Sequence, residues 1–176
     1  LSFTGNGAMS PYSARYAPWY PQHEKIKTIS ITGITSIGSY AFYNCTEITT
    51  IEIPSSVSSI GDNAFISCSK LGTVTLKEGL QTIGNNAFES TTIGTITIPS
   101  TVTSIGQYAF RYCNSLNSIS VTDGNQKYYV ESQGALIEKT STTERTLVLY
   151  PRMKTTTDNV YIIPNEITTI AGYAFY

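Results

Sequence analysis

The sequence predicts a β-dominated solenoid in which repeats of about 23 residues stack on one another. The first observation is composition: the 176 residues include 26 Thr, 20 Ser and 21 Ile but only 8 Leu, and the β-branched Thr and Ile suit pleated strands. The second is a short pattern that recurs along the chain at nearly constant spacing. Because one such unit cannot bury its own apolar face, successive units must stack as rungs.

The recurring pattern is Ile-Gly-x-x-Ala-Phe at 37–42, 60–65, 83–88 and 105–110, and Ile-Ala-x-x-Ala-Phe at 170–175. Successive Phe residues are 23, 23, 22 and then 65 residues apart, so the fifth pattern follows an interruption. The glycine allows a tight turn or a close backbone approach. The Ala-Phe stretch predicts one turn of α- or 3₁₀-helix. We expect Phe42, Phe65, Phe88 and Phe110 to form one internal column of rings. Phe175 is a further candidate for this column.

An apolar pair spaced by two residues accompanies each repeat and predicts a short strand whose pair points into the core. A proline follows three of the pairs and ends the strand, since proline has no N–H to donate to a ladder. The pairs are Ile29/Ile31, Ile51/Ile53, Val74/Leu76, Ile96/Ile98, Ile119/Val121 and Tyr161/Ile163, and the prolines are Pro54, Pro99 and Pro164.

Charge is scarce, with 13% charged residues, a net charge of −1 and a pI near 5.8. This balance gives no electrostatic basis for binding nucleic acid or an anionic membrane. No apolar run approaches the ~18 residues that a membrane-spanning helix needs. We therefore expect no nucleic-acid partner and no membrane insertion by this chain.

The complete unit, (I/L)xx(I/V)x(I/L)Pxx(V/L)xxIGxxAFxxC, resembles the BspA-like, or Treponema-type, leucine-rich repeats over residues 26–176. The resemblance implies a leucine-rich-repeat solenoid, horseshoe-like but dominated by β-structure. A parallel sheet of short strands would lie on one side and short helical or 3₁₀ turns on the other. It also implies an extracellular or cell-surface protein of a host-associated bacterium, of a family often described as adhesins. We expect any signal or anchor to lie outside this chain.

Four segments are predicted. Residues 1–25 are rich in Pro and aromatic residues, lack the repeat and would form an irregular cap on the first rung, with a ligand site as the alternative. Repeats follow at 26–121, then an insertion at 122–160 and a further repeat at 161–176. The last repeat stops before its Cys position, so we expect the chain to be part of a longer array.

The insertion contains two strand-like runs, Ala135–Lys139 and Thr146–Tyr150, separated by a polar stretch. Such a pair of runs predicts a β-hairpin. The hairpin either projects from the solenoid or adds one strand to its sheet.

Three cysteines, Cys45, Cys68 and Cys113, follow the repeat Phe by three residues, and Thr91 occupies the fourth such position. Stacked strands lie ~4.8 Å apart, which is within disulfide range, but parallel Cβ vectors leave the Cβ atoms slightly too distant. We expect buried reduced thiols, with a Cys45–Cys68 bridge as the alternative.

No set of residues predicts catalysis, a cofactor or a metal. His23 is the only histidine, belongs to no nucleophile motif and is expected on the surface. The carboxylates are scattered, and there is no CxxC, HExxH, calcium-loop or P-loop motif. We predict that the chain is not an enzyme and uses no cofactor.

The first candidate for partner binding is the set of residues that alternate with the buried pairs and so point outward. In register they form a nearly uncharged hydroxyl-bearing face of the extended kind that solenoids use for partners. Thr and Ser equally suit an exposed sheet without a ligand. In the last repeat Val160 and Ile162 point outward, where the hairpin could cover them. The candidate residues are Thr50, Glu52, Thr73, Thr75, Thr95, Thr97, Ser118 and Ser120.

Tyrosines are the second candidate, because tyrosine is enriched at interfaces. Tyr128 and Tyr129 lie in the insertion, where a projecting hairpin would make them accessible. Six further tyrosines lie on the turn side of the solenoid. They either form an interface or cover the Phe column. They are Tyr40, Tyr108 and Tyr173 at one repeat position, with Tyr43, Tyr112 and Tyr176 nearby.

The resemblance, the low charge and the lack of catalytic motifs favour a non-catalytic recognition or adhesion module. Its partner would be a protein or a glycan on host or neighbouring cells. The alternative hypothesis is a rigid spacer in a larger surface protein, without a ligand of its own.

Overall fold

The computed structural model describes residues 1–153 and 160–175. This part of the chain forms short strands and one 3₁₀ helix, Tyr20–Lys25. Each turn of the solenoid is a rung, named below by the aromatic residue at its Phe position. The strands are β1 Ser2–Thr4, β2 Ser30–Thr32, β3 Ser36–Ile37, β4 Thr50–Ile53, β5 Ser59–Ile60, β6 Thr73–Leu76, β7 Thr82–Ile83, β8 Thr95–Ile98, β9 Ser104–Ile105, β10 Ser118–Val121, β11 Tyr128–Val130, β12 Leu136–Lys139, β13 Arg145–Leu149 and β14 Thr169–Ile170.

The main sheet is parallel, with the strand order β10-β8-β6-β4. Its register joins equivalent residues of successive repeats, so that Thr50 pairs with Thr73 and Ile51 with Val74. Exposed and buried residues alternate along each strand, as the two-residue period of a strand requires. The β-dominated solenoid of stacked repeats is therefore confirmed.

A second parallel sheet, β3-β5-β7-β9, forms on the turn side from the residues just before the repeat glycine. A Cβ on Gly84 would lie 2.6 Å from the carbonyl carbon of Gly61, so the rungs approach closely here. The Ala-Phe segments that follow are turns closed by i to i+3 bonds, such as Tyr43 N–H to Tyr40 O at 3.2 Å. These bonds are of the 3₁₀ type, but the positive φ of 53° at Tyr40 prevents a longer helix.

A column of four buried phenylalanine rings runs through the core. The centroids of Phe42 and Phe65 are 5.1 Å apart, and the next two spacings, to Phe88 and Phe110, are 5.3 and 5.6 Å. Phe175 does not join this column: it is 47% exposed and its centroid lies 5.8 Å from that of Tyr150.

The first residues form a rung of their own, contrary to the irregular segment expected there. β1 pairs in parallel with β2, and the Met9 N–H donates to Ser36 O at 2.9 Å. Phe3 and Met9 thus take the positions that Ile31 and Ile37 occupy in the next rung. The two residues are as far apart in the chain as Ile31 and Ile37, but their residue types differ from the repeat.

Trp19 covers the end of the phenylalanine column. Its indole N–H donates to Ala41 O at 2.7 Å. Its ring centroid lies 4.7 Å from that of Phe3 and 6.0 Å from that of Phe42. The aromatic residues of this segment therefore shield the core, while its first residues extend the solenoid.

The insertion forms a further sheet with the order β11-β12-β13-β14. The predicted hairpin is present as the antiparallel pair β12–β13, and β13 pairs in parallel with β14. The Tyr150 N–H donates to Ala174 O at 2.6 Å, just as the Phe42 N–H donates to Ala64 O at 2.8 Å. The hairpin thus supplies a rung in which Tyr150 takes the Phe position.

The strand predicted at Tyr161 and Ile163 does not form in the described residues 160–163. The side chain of Gln133 takes the place of a neighbouring strand: its amide group donates to Ile162 O at 2.6 Å and accepts from the Ile162 N–H at 3.1 Å. Val160 and Ile162 are 57% and 71% exposed, so the hairpin does not cover them.

Candidate functional site

The hydroxyl face is the set of outward side chains on four neighbouring strands of the main sheet. All eight are exposed. The parallel pairing of these four strands places them in two columns that run across the rungs. The structure therefore brings every predicted residue of this candidate onto one surface: Thr50, Glu52, Thr73, Thr75, Thr95, Thr97, Ser118 and Ser120.

The hydroxyl face is almost neutral. Its single carboxylate, on Glu52, lies 3.5 Å from Lys77 Nζ, and both side chains are about half or more exposed. Thr97 Oγ1 and Ser120 Oγ lie 2.8 Å apart and form one hydroxyl-to-hydroxyl bond between rungs. Hydroxyl groups can donate and accept, so this surface suits an uncharged polar partner surface.

Three depressions lie along the hydroxyl face. One of about 290 Å³ is lined by Thr28, Glu52 and Thr75, among others, and its neighbour of about 270 Å³ by Thr73 and Thr97. The third, of about 410 Å³, lies where β10 meets β11. The hydroxyl face is therefore not flat, and side chains of a partner can enter its depressions.

The third depression contains Asp123, which the sequence pattern does not reveal. Asp123 lies in a turn, and turn residues carry no alternation signal. The only sequence signal for Asp123 is its position shortly after Ser118 and Ser120, the outward residues of β10.

Tyr128 is not accessible, so its prediction as a partner-binding residue is wrong. It is 2% exposed, and its hydroxyl accepts from the Ile105 N–H at 2.9 Å. Burial raises the pKa of this phenol to about 12. Tyr129 is half-buried, lines the third depression and has Lys139 Nζ 5.7 Å from its ring centroid. Tyr128 is buried because the hairpin packs into the solenoid instead of projecting.

The turn-side tyrosines form two separate groups. Tyr40 contacts Tyr43, whose ring stacks on Tyr20 at 5.9 Å. Tyr108 packs edge-on against Tyr173 at 4.8 Å. Arg111 lies over the rings of Tyr108, Tyr112 and Tyr173 at 5.4, 4.4 and 4.5 Å. Tyr176 lies outside the described residues.

The cysteines are free and buried, as predicted. Cys68 Sγ donates to Phe42 O at 3.1 Å, and Cys113 Sγ lies 3.3 Å from Phe88 O. Burial raises the pKa of Cys45 to about 12 and that of Cys113 to about 11, and it raises the pKa of Cys68 as well. These thiols are poor nucleophiles.

His23 is not the surface histidine that was expected. Its side chain is 16% exposed and its ring stacks on Tyr20 at 4.2 Å. Nδ1 lies 2.7 Å from Tyr20 O, and Nε2 lies 3.1 Å from Asn44 Nδ2, so both ring nitrogens are engaged.

Within the described ranges, no group of three or more His, Cys, Asp or Glu side chains is placed to hold a metal ion. The same part of the chain forms no helix long and apolar enough to cross a membrane.

Comparison with known proteins identifies the repeats. A family model described as the BspA type leucine-rich repeat region matches residues 21–132 in 6 copies. Solenoids of this family are typically non-catalytic. No curated protein sequence matches the chain.

Solved structures resemble the whole solenoid. A leucine-rich repeat protein from Eubacterium ventriosum matches over 99% of this chain with 30% identity and a TM-score of 0.76. The pneumococcal vaccine antigen PcpA matches over 85% with 30% identity and a TM-score of 0.75. A leucine-rich cell surface protein from Faecalibacterium prausnitzii matches over 82% with 28% identity and a TM-score of 0.72.

The chain spans 52%, 36% and 44% of the lengths of these three proteins, in that order. The fold and the repeats are therefore shared with bacterial surface proteins and antigens. Since the family model matches more than half of its residues, the chain belongs to the BspA-type leucine-rich repeat family.

Proposed function

We propose that this chain is a non-catalytic recognition module at the cell surface that binds a protein or a glycan through the hydroxyl face. The observation that carries the proposal is the alignment of eight exposed, nearly uncharged side chains in two columns on one sheet. Such a surface is extended and rigid, which is how solenoids present a binding site.

An extracellular or surface location is part of the proposal. It is supported by two of the similar proteins, which are a cell surface protein and a vaccine antigen. A role without catalysis is supported by the engaged nitrogens of His23 and the buried, protonated cysteines.

The test is a binding screen of the full chain against immobilised matrix proteins and glycans, followed by charge substitution on the hydroxyl face. Thr75→Arg and Thr97→Arg place a bulky charge in the middle of the face. We expect each to weaken binding of any ligand found by tenfold or more, because a buried unpaired charge is costly at an interface. Ser69→Arg, at an exposed position off the face, is the matched control.

If all three variants changed the binding affinity equally, the ligand would not bind at the hydroxyl face. The absence of any ligand at micromolar affinity would instead favour a rigid spacer. That alternative is supported by the parallel pairing of four successive rungs through β4, β6, β8 and β10.

A further inference from the structure

The strand side of the solenoid is interrupted between β2 and β4. No backbone hydrogen bond joins residues 27–33 to residues 49–54, and both segments lie within the described part of the chain. The next two strands, β4 and β6, pair along their whole length. The junction between β2 and β4 is called the sheet break below.

The sheet break coincides with a repeat that is one residue short. Equivalent inward positions are 22 residues apart from β2 to β4 and from β6 to β8, and 23 apart from β4 to β6 and from β8 to β10. The two 23-residue junctions are fully paired, β6 and β8 pair only at Thr73 and Thr95, and β2 and β4 do not pair. Strand pairing is therefore weakest where a repeat lacks a residue. The positions compared are Ile29, Ile51, Val74, Ile96 and Ile119.

Backbone groups of β4 face the sheet break without a partner. In the next rung, the Thr73 N–H donates to Thr49 O at 3.1 Å and so points toward the preceding rung. Thr50 holds the same position one rung earlier, and Glu52 faces the same way because every second residue of a strand does. Among residues 1–153 and 160–175, the N–H and C=O groups of Thr50 and Glu52 have no backbone partner.

The opposite side of the sheet break is formed by β2. The Ser30 N–H donates to Leu1 O at 2.9 Å, so Ser30 faces β1. Its neighbours Ile29 and Ile31 therefore face β4 with their N–H and C=O groups. These groups also lack a backbone partner in the described residues. The sheet break is thus lined on both sides by unpaired donors and acceptors.

A depression of the hydroxyl face opens over the sheet break. It holds about 290 Å³ and is lined by Ile29 of β2's side and by Thr50, Ile51 and Glu52 of β4, but not by Ile31. Its centre therefore lies near Ile29 and Thr50. The volume is that of about ten water molecules, which suits one or two side chains but not a further strand.

The unpaired groups need a ligand group that both donates and accepts. A carboxylate only accepts and an ammonium group only donates, whereas a carboxamide does both. Charge favours neither ion, because the Glu52 carboxylate already lies 3.5 Å from Lys77 Nζ. A neutral carboxamide is the side-chain group that matches the sheet break.

The same protein contains such a carboxamide in place of a strand. Gln133 donates to Ile162 O at 2.6 Å and accepts from the Ile162 N–H at 3.1 Å. A primary carboxamide can pair in this way because its donor and acceptor lie on one side. In a trans secondary amide, such as the acetamido group of a sugar, the N–H and C=O point in opposite directions. The comparison favours a side chain of a protein over a glycan.

We propose that the sheet break binds the carboxamide of a glutamine or asparagine side chain of a protein partner, through the N–H and C=O groups of Thr50. This inference rests on the proposed function, because it names a chemical group of the partner at one end of the hydroxyl face. The experiments below use no partner protein, so their failure is distinct from the failure of the partner screen.

Hydrogen exchange tests the sheet break itself. The amides of Thr50 and Glu52 should exchange at least about tenfold faster than the amide of Thr73, which donates to the neighbouring rung. Equal protection of the three amides would show that β2 and β4 are paired and would overturn the site.

The carboxamide is tested by titrating the isotope-labelled full chain with the peptide acetyl-Gly-Gln-Gly-amide. We expect a saturable shift of the Thr50 amide resonance. Matched peptides with Met or Glu in place of Gln should bind about fivefold more weakly, because Met lacks the donor and Glu is an acceptor only. Equal binding of the Met peptide would overturn the carboxamide assignment. Tighter binding of N-acetylglucosamine at the same amide would overturn the protein partner in favour of a glycan.

A proline variant locates the site. Thr50 is the first residue of β4 and its N–H is unpaired, so Thr50→Pro removes the donor without breaking a ladder bond. It should weaken binding of the Gln peptide about fivefold, measured by the Ile29 and Glu52 amides, and leave the melting temperature nearly unchanged. Thr73→Pro, at the same position one rung later, should lower the melting temperature. Ser118→Ala, at the far end of the hydroxyl face, should leave peptide binding unchanged.

Full binding of the Gln peptide to Thr50→Pro would overturn the assignment to Thr50. A loss of stability as large as that of Thr73→Pro would show that the Thr50 N–H is paired, and it would overturn the sheet break. In either case a partner whose binding is weakened by Thr97→Arg would still support the function proposed for the hydroxyl face.

Discussion

The hydroxyl of Thr91 donates to the carbonyl of Phe88 at 2.9 Å and lies 3.2 Å from Cys113 Sγ. Thr91 is 2% exposed and occupies the repeat position at which the neighbouring rungs carry cysteine. A hydroxyl therefore replaces a thiol in the core, and it is tolerated because both of its contacts are polar.

Thr91→Val should lower the free energy of unfolding by about 1 kcal/mol, since it removes a buried hydrogen bond while keeping the shape of the side chain. Urea unfolding followed by circular dichroism measures the change. Thr95→Val, on the exposed side of β8, is the control and should have almost no effect because valine suits a strand. Equal stability of the two variants would show that the Thr91 bond contributes nothing.

Stability should fall at alkaline pH because the thiols are buried. Their pKa values are raised above the ordinary 9.0, to about 12 for Cys45 and about 11 for Cys113. Below pH 9 the thiols are protonated in both states, so this contribution is fully present. Above it, thiols ionise only in the unfolded chain, and stability falls by up to about 1.4 kcal/mol per pH unit for each buried thiol.

Urea unfolding at pH 8 and at pH 10 measures this loss. A variant with all three cysteines replaced by alanine is the control, and its stability should change less between the two pH values. The folded protein should also resist a thiol-reactive reagent until urea unfolds it. Rapid labelling of the folded protein would contradict the buried placement of the thiols.

Gly84→Ala should be strongly destabilising. The new Cβ would lie 2.6 Å from the carbonyl carbon of Gly61 and 2.7 Å from the backbone nitrogen of Asp62, so the rungs would have to separate. We expect a loss of about 1–3 kcal/mol from overpacking. Thermal unfolding compares it with Gly94→Ala, where a Cβ meets nothing within 4 Å. A Gly84→Ala variant as stable as that control would refute the close approach.

Asn125 connects the insertion to the regular repeats. Its amide donates to Pro99 O at 2.8 Å and to Val102 O at 3.1 Å, and its oxygen accepts from the N–H groups of Lys127 and Tyr128 at 2.8 Å each. Asn125→Ala leaves four backbone groups without this partner and should cost about 3 kcal/mol or more.

Urea unfolding measures the cost of Asn125→Ala. Asn117→Ala, at an exposed position before β10, serves as the comparison and should cost much less. Similar losses for the two variants would contradict the bridging role of Asn125.

The regular rungs could be predicted from the sequence because each core position recurs with its neighbours at fixed spacing. The same spacing was present at Phe3 and Met9, but the residue types differ from the repeat, so that rung was missed. The rung of Tyr150 was missed because its turn lacks two residues and the whole Ala-Phe signature. In both cases hydrogen bonds to the adjacent rung, which depend on backbone position more than on residue type, define the structure.

The hydroxyl face followed from alternation, which fixes the side of a strand on which a residue lies. The error at Tyr128 has a different origin. Alternation within β11 does not reveal which side of the strand faces the solenoid, and the contact with Ile105 that buries Tyr128 joins residues 23 apart in the chain. Likewise, nothing local identifies Gln133 as the residue that takes the place of a strand beside Ile162.

The shortened turn at Tyr150 also bears on the order in which the rungs are expected to unfold. In repeat proteins, stability is the sum of the stability of each rung and the coupling between neighbours. In the described part of the chain, the N–H groups of Tyr108 and Phe110 make no rung-to-rung backbone bond like those of Asn86 and Phe88. We therefore expect the rungs after Phe110 to open before those that precede it. A boundary for local unfolding is thus expected where one turn is two residues shorter than the others.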